Sequence, residues 1–330
     1  MRIKELDALR GLAALAVVLF HYTTRYDQLF GHANALSLSI PYGDLGVHLF
    51  FMISGFVIFL TLDRVERPFD FVVSRFSRLY PAYWFAIFLT TAFVWNYGLD
   101  GQEVNIFHTV INFSMLQGIF ELPDVDGVYW TLLYELLFYF LIFTVYKLGY
   151  LKHIAFFIIV GLLLNIVNNF TNIIPWKIQL FLLLHYNHLF GAGIIFYLLK
   201  RDGNKAIYFA ALALCLVAQW SQGHFISSAI ISCFFLIFLL FTFQKLKFIA
   251  TKPLVWLGSI SYSLYLLHQN IGYVIIREME ASGYSANIAI LTTLCISLFL
   301  AHNVMQIVER PSQKWIKEKY QKRCLKHSTF

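Results

Sequence analysis

Charge is what this sequence has least of. Asp, Glu, Lys and Arg make up 13% of the 330 residues, against about 25% in an ordinary soluble domain. With 59% hydrophobic residues, 34 Phe and 19 Tyr beside that deficit, nothing is left from which to build a large soluble domain. The chain reads as a polytopic membrane protein. Cysteines are few and none is spaced for a task. Cys215, Cys233, Cys295 and Cys324 lie in or beside apolar helices without a CxxC pair. They read as packing residues rather than disulfides or metal ligands. Neither GxSxG nor HExxH occurs, so a serine hydrolase and a zinc protease are both unsupported. No internal repeat is evident, so the inverted-repeat signature of many transporters is missing. The formal net charge of +7 does not call for nucleic acid, because Lys and Arg also set membrane topology.

The long apolar runs are what is there. Ten segments of spanning length can be drawn, roughly 6–25, 45–62, 79–97, 128–146, 153–170, 178–199, 206–221, 225–243, 253–276 and 286–308. The expected fold is all-α, a polytopic membrane helix bundle of about ten transmembrane helices. With the N-terminus in the cytoplasm, twenty-two Lys and Arg fall on inside segments and only Arg25, Lys177 and Arg277 outside. That bias puts both termini in the cytoplasm. The first apolar run resembles a signal peptide but flows into further spans, so it is expected to be retained. Residues 1–309 form one transmembrane domain in this reading, and 310–330 a basic cytoplasmic tail suited to anionic lipid headgroups. The longest outside stretch, Gly98 to Gly127, is too apolar for a plain solvated loop; an interfacial and a re-entrant course both fit.

A handful of polar residues interrupt these runs. Leu6 to Tyr22 carries Arg10 and His21 eleven residues apart, nearly on one helix face and about 16 Å apart along the axis. The ordinary reading is a topological anchor and an interfacial imidazole; the functional one is a stripe facing protein or a water-filled cavity. In the second span Asp44 and His48 share a face, while Ser54 and Gly55 suit close helix packing. Arg75 and Arg78, three apart where the third span begins, suit a phosphate, or else are a basic loop flank. Glu135 sits within the fourth span on a stripe with Thr131 and Tyr139; it must be protonated or paired with a cation such as Arg10 or an arginine of the third span. His185 and His188 lack acidic or Cys partners nearby, so no metal is expected. Ser261, Tyr265 and His268 form a polar stripe in the ninth span, which makes Tyr265 and His268 further candidates. Together these residues supply what acyl transfer to a hydroxyl needs: a base, a group to orient it, and donors for an oxyanion. A transporter or flippase of acyl groups or glycan intermediates would use the same intramembrane Arg, Glu and His.

Six stretches in order carry a resemblance: LDALRGLAALAVVLFHY with its Arg-x10-His, GVHLFFMISGF, SRFSRLYP, YWTLLYELLFY, LGSISYSLYLLH and IVERP. Over nearly the whole chain they resemble acyltransferase family 3, integral membrane acyltransferases that modify carbohydrates and other cell-envelope molecules. The resemblance implies that Arg10 and His21 form the centre of activity, with Arg75, Arg78 and Glu135 beside them. His48 stands where many members have Asp. It further implies an acyl-CoA donor, most simply acetyl-CoA, a glycan or lipid-linked sugar as acceptor, and the inner membrane of a bacterial-type cell. His21 is then the expected general base, Arg75 and Arg78 the binders of CoA phosphates, and Glu135 an orienting carboxylate.

Overall fold

The computed structural model describes residues 3–65 and 67–327; Arg2 of the basic N-terminal flank lies outside them. Among the described residues all regular secondary structure is helical, with no strand. In chain order the main helices are α1 (Lys4–Phe20), α2 (Gly46–Leu62), α3 (Pro68–Tyr97), α4 (Ile106–Asn112), α5 (Trp130–Lys147), α6 (Ile154–Thr171) and α7 (Asn187–Asp202). They continue with α8 (Ala206–Trp220), α9 (Phe225–Thr242), α10 (Lys252–Leu267), α11 (Gln269–Ala281), α12 (Ala286–Val304) and α13 (Arg310–His327). Among the described residues six stretches are long and apolar enough to cross a membrane: Lys4–Phe30, Gly43–Leu62, Gly127–Lys147, Leu151–Thr171, Phe225–Thr242 and Ala286–Cys324. The other four expected segments are helical but depart from a plain span. α8 is short, 178–199 breaks before α7, 253–276 breaks at His268, and 79–97 belongs to a 30-residue helix with a charged first half.

The contacts cluster into two compact units, each made of three stretches of chain. The first unit comprises Met1–Ala13, Leu45–Pro68 and Tyr134–Gly258. Its centre is the pairing of α2 with α7. A Cβ at Gly55 would overlap the Phe190 backbone, and one at Gly193 the Met52 backbone, so only hydrogen at both sites lets the helices touch. This is how helices associate where lipid removes the hydrophobic drive. Phe138 stacks on Phe190 with ring centroids 4.2 Å apart and locks α5 onto the same pair. The start of α1 packs on the start of α10 by the same means, with Gly258 against the Asp7 backbone.

The second unit comprises Ala14–Asp44, Phe69–Leu133 and Ser259–Phe330. Here α11 packs on α12 and on the turn that follows α1. The Gly98–Gly127 stretch is ordered by polar bonds. Asn105 caps α4 by accepting from the His108 N–H at 2.8 Å. The buried Asn112 amide donates to the Pro123 carbonyl and accepts from the Val125 N–H, both at 3.0 Å. The Tyr83 hydroxyl on α3 donates to the Asn112 carbonyl at 2.8 Å. Ile106, Phe107 and Val110 of α4 stay exposed, so its outer face is apolar.

Candidate active site

His21 and His268 lie 247 residues apart in sequence and meet in the second unit. Each sits where its helix is interrupted. The α-helix of α1 ends at Phe20, and His21 opens a π turn over His21–Arg25, in which the Tyr26 N–H reaches the His21 carbonyl. His268 is the joint between α10 and α11. A broken helix in an apolar setting must find other partners for its backbone groups. The His268 ring supplies some of them: its Nδ1 lies 3.1 Å from the Leu264 carbonyl and 2.9 Å from that of Tyr265. Tyr129 donates to the Leu266 carbonyl at 3.1 Å and Tyr22 to the His268 carbonyl at 2.9 Å. At the start of α11 the Asp126 carboxylate accepts from the Asn270 N–H at 3.1 Å.

These partners settle the tautomers. Carbonyls only accept, so His268 Nδ1 carries the proton and its Nε2 is a bare acceptor. His21 Nδ1 faces two acceptors, the Val17 carbonyl at 2.8 Å and His268 Nε2 at 3.2 Å. It therefore carries a proton shared between them. In the neutral ring that leaves His21 Nε2 with the lone pair, ready to accept a proton.

The surrounding residues hold this pair in place. The Tyr22 hydroxyl contacts Ser297 Oγ at 2.7 Å, and Gly272 on α11 leaves room for its ring, where a Cβ would collide. The Tyr265 and Thr131 hydroxyls lie 2.8 Å from one another and 3.0 and 3.1 Å from the Val128 carbonyl, so that one donates to the carbonyl while the other donates to its neighbouring hydroxyl. Tyr265 thus pins the turn before α5. Burial pushes the Asp126 carboxyl up to about 7, against the pull of the Asn270 and Val128 N–H donors, and pushes its neighbour Asp124 up to about 6.

Arg75 and Arg78 are half-buried on α3. The helix begins at Pro68, so they stand in its second and third turns and not at a helix N-terminus. Helix-end N–H groups therefore add nothing to an anion site there, and Pro81 is interior. The positive cluster comes instead from a neighbouring element. Burial, with Arg75 and Arg78 adding, pushes the Lys317 ammonium of α13 down from its ordinary value. Glu309 of the IVERP motif is buried near Arg78 and accepts from Ser263 Oγ at 2.8 Å. Ser263 and His268 stand on or at the end of α10, five residues and about 7.5 Å of helix rise apart. Sequence reasoning passed over Glu309 and Lys317. A carboxylate closing an apolar run was the available signal for the first; Lys317 had none in a uniformly basic tail.

In the first unit Glu135 accepts from Ser54 Oγ at 3.1 Å and from the Tyr139 hydroxyl one turn on. Within that unit no described cation lies within ion-pair distance of it, so of the two expected states, protonation or a cation partner, the second is not met there and two hydroxyls donate instead. Arg10 faces Asp7 at 3.8 Å. His48 packs edge-on against Tyr186, with centroids 5.8 Å apart. His188 is fully buried and bonded through Nε2 to the Gln219 side chain at 2.7 Å.

Repeated apolar helices, two of them interrupted at facing imidazoles, define a polytopic helical membrane protein. Residues 3–302 match the family described as an acyltransferase domain, and the chain belongs to that family, acyltransferase family 3. It is an acyltransferase, which decides against the transporter reading. The chain is 27% identical over 283 residues to ORF330 of Acidianus two-tailed virus, provisionally named an acetyltransferase, covering 79% of this chain and 80% of that one. It is 24% identical over 335 residues to the O-acetyl transferase of Shigella phage Sf6, covering 92% and 94%. It is 32% identical over 124 residues to the exopolysaccharide production protein ExoZ of Rhizobium meliloti (strain 1021), covering 34% and 37%. No solved structure matches the chain.

Proposed function

We propose that this enzyme moves an acyl group, most simply acetyl, from acyl-CoA to a hydroxyl of a cell-envelope glycan or lipid-linked sugar. The observation that carries the reading is the relay from the Leu264 and Tyr265 carbonyls through His268 to His21, which leaves the His21 Nε2 lone pair available. The names of the phage and ExoZ relatives support a hydroxyl on a glycan as acceptor.

In the proposed reaction His21 Nε2 takes the acceptor hydroxyl proton as the oxygen attacks the thioester carbonyl. The tetrahedral intermediate collapses with loss of the CoA thiolate, and His21 returns the proton to that sulfur. During the reaction the imidazolium of His21 donates through Nδ1 to His268 and the Val17 carbonyl, which stabilises its charge. His268 is a positioning residue and Tyr265 supports the turn beside it. Arg75 and Arg78, with Lys317 near them, hold the CoA phosphates in this reading. Among the first unit's polar residues this reading keeps Arg10 and Glu135 as functional residues, Glu135 as an orienting carboxylate for the Ser54 and Tyr139 hydroxyls, and His48 as a substrate-site candidate. Residues 1–309 act as one transmembrane acyltransferase domain, in the inner membrane, with both termini and the 310–330 tail cytoplasmic.

The test uses membranes containing the protein, labelled acetyl-CoA and crude envelope glycan. Labelled glycan is the expected product. His21→Ala should insert normally and still bind CoA, yet lose transfer by at least about a hundredfold, the contribution typical of a positioned base. No label from acetyl-CoA with the intact protein overturns the donor; near-normal turnover by His21→Ala removes His21 from the mechanism.

A further inference from the structure

One cavity of the first unit serves none of the groups above. Its volume is about 430 Å³, within the range of small-molecule sites. Phe56 and Leu60 of α2 and Phe241 of α9 give it an apolar lining. The charged lining is Arg64, Lys200, Arg201 and Lys247, with Glu5 as its one carboxylate.

Arg201 is already engaged. Its guanidinium grips both Asp63 oxygens at 3.0 and 2.8 Å and reaches Asp202 at 2.6 Å, so it builds the wall. The other three cations are not matched in this way. Among the described residues no carboxylate lies within ion-pair distance of Arg64, Lys200 or Lys247. The Lys200 ammonium instead sits over the Phe241 ring, 4.3 Å from its centroid. Burial pushes that ammonium down from its ordinary value, with Lys247 adding to the effect and Glu5 opposing it. An anion entering the cavity would relieve both costs.

Three cations brought from three separate segments suit a group that offers oxygens in several directions and more than one negative charge. A phosphate fits that description better than a planar carboxylate. We infer that the cavity binds an amphiphilic organic phosphate, its phosphate against Lys200, Lys247 and Arg64 and its carrier over Phe241, Phe56 and Leu60. Two sources present this chemistry: the phosphates of a nucleotide-type molecule such as CoA, held apart from the donor site proposed at Arg75 and Arg78, and the headgroup of an anionic membrane lipid. The inference stands whether or not acyl-CoA is the donor.

The full chain in nanodiscs gives the two arms of the test. One measures coenzyme A binding in phosphatidylcholine discs. The other measures phosphatidylglycerol retained by the purified protein from mixed membranes, by native mass spectrometry. Lys200→Gln/Lys247→Gln should weaken one of the two ligands by about tenfold or more, and Lys200→Arg/Lys247→Arg should restore most of it. Lys152→Gln, outside the cavity, should change neither. Loss in the CoA arm identifies the nucleotide source, and loss in the lipid arm the headgroup; unchanged binding in both overturns the inference. If wild-type protein binds no CoA, the donor reading fails and the lipid arm alone decides this one. Should the double Gln variant fail to insert, Lys247→Glu, at an exposed position, reads the same two arms.

Discussion

His268 does two separable jobs, and two substitutions divide them. Its Nδ1 serves the Leu264 and Tyr265 carbonyls at the helix break, and its Nε2 accepts from His21. Asn places an amide near the position of Nδ1; Gln reaches the position of Nε2. His268→Asn therefore keeps a donor for the carbonyls and drops the contact to His21. One neutral hydrogen bond is worth about 1 kcal/mol net, which corresponds to roughly fivefold in kcat. His268→Gln keeps an acceptor for His21 but leaves the Tyr265 carbonyl short of a donor, while that of Leu264 keeps the backbone N–H of residue 268; the cost is about 1–3 kcal/mol of stability. The expected pattern is crossed: Asn retains thermal stability and loses turnover, while Gln retains more turnover and loses stability. Thermal unfolding in detergent and kcat from labelled-glycan formation read the two axes. The acid limb of the pH–rate profile should also move in the Asn variant, because the imidazolium of His21 has lost a partner. A loss in folded His268→Asn as large as that in His21→Ala would put His268 in the chemistry itself. Loss of both properties together in both variants would refute the division of labour.

Arg75→Gln/Arg78→Gln should weaken CoA binding more than acceptor binding, and Lys at both sites should rescue only part, since a point charge replaces a bidentate fork; normal CoA binding by the inserted Gln variant would make the pair merely topological. Asp126 predicts a pH dependence of stability. Its folded carboxyl is raised to about 7, so the folded state holds a proton that the unfolded chain has released above about pH 4. Stability should fall as pH rises from about 4 to 7 and level off above, and Asp126→Asn should flatten that fall in a thermal-melt series; an unchanged slope would locate the dependence elsewhere. Reporter fusions at Lys152, Lys205 and the C-terminus should all read cytoplasmic, and an extracytoplasmic C-terminus would overturn the ten-span topology.

The helical class and the residues that interrupt the apolar runs were legible because both are local properties. A scarcity of charge shows in composition, and an Arg or His within seventeen apolar residues shows by contrast. His21 and His268 were each visible in this way, as were the neighbours Glu135 and Tyr139 one turn apart. Their partners were not. The His21–His268 contact joins helices 247 positions apart, and no periodicity carries that information. Glu135 is expected to be protonated or paired with a cation, and its partner from another helix is the Ser54 hydroxyl, a choice made by tertiary packing. The start of α3 was placed too late because charged residues ahead of a span resemble a loop. An amphipathic extension of eleven residues from Pro68 instead carries the helix back past Arg75.

Both imidazoles stand at points where a rod of hydrogen bonds gives way, one at a π turn and one at a helix joint. A helix resists bending along its regular length and yields where its ladder is interrupted. The two rings therefore ride on knuckles rather than on shafts. A small flexion at either knuckle carries an imidazole with it and alters the 3.2 Å contact between them, without any side chain leaving its rotamer. In the proposed mechanism proton transfer at His21 is thereby tied to the bending of two helices, and stiffening either one at a distance becomes a way to tune the proposed base.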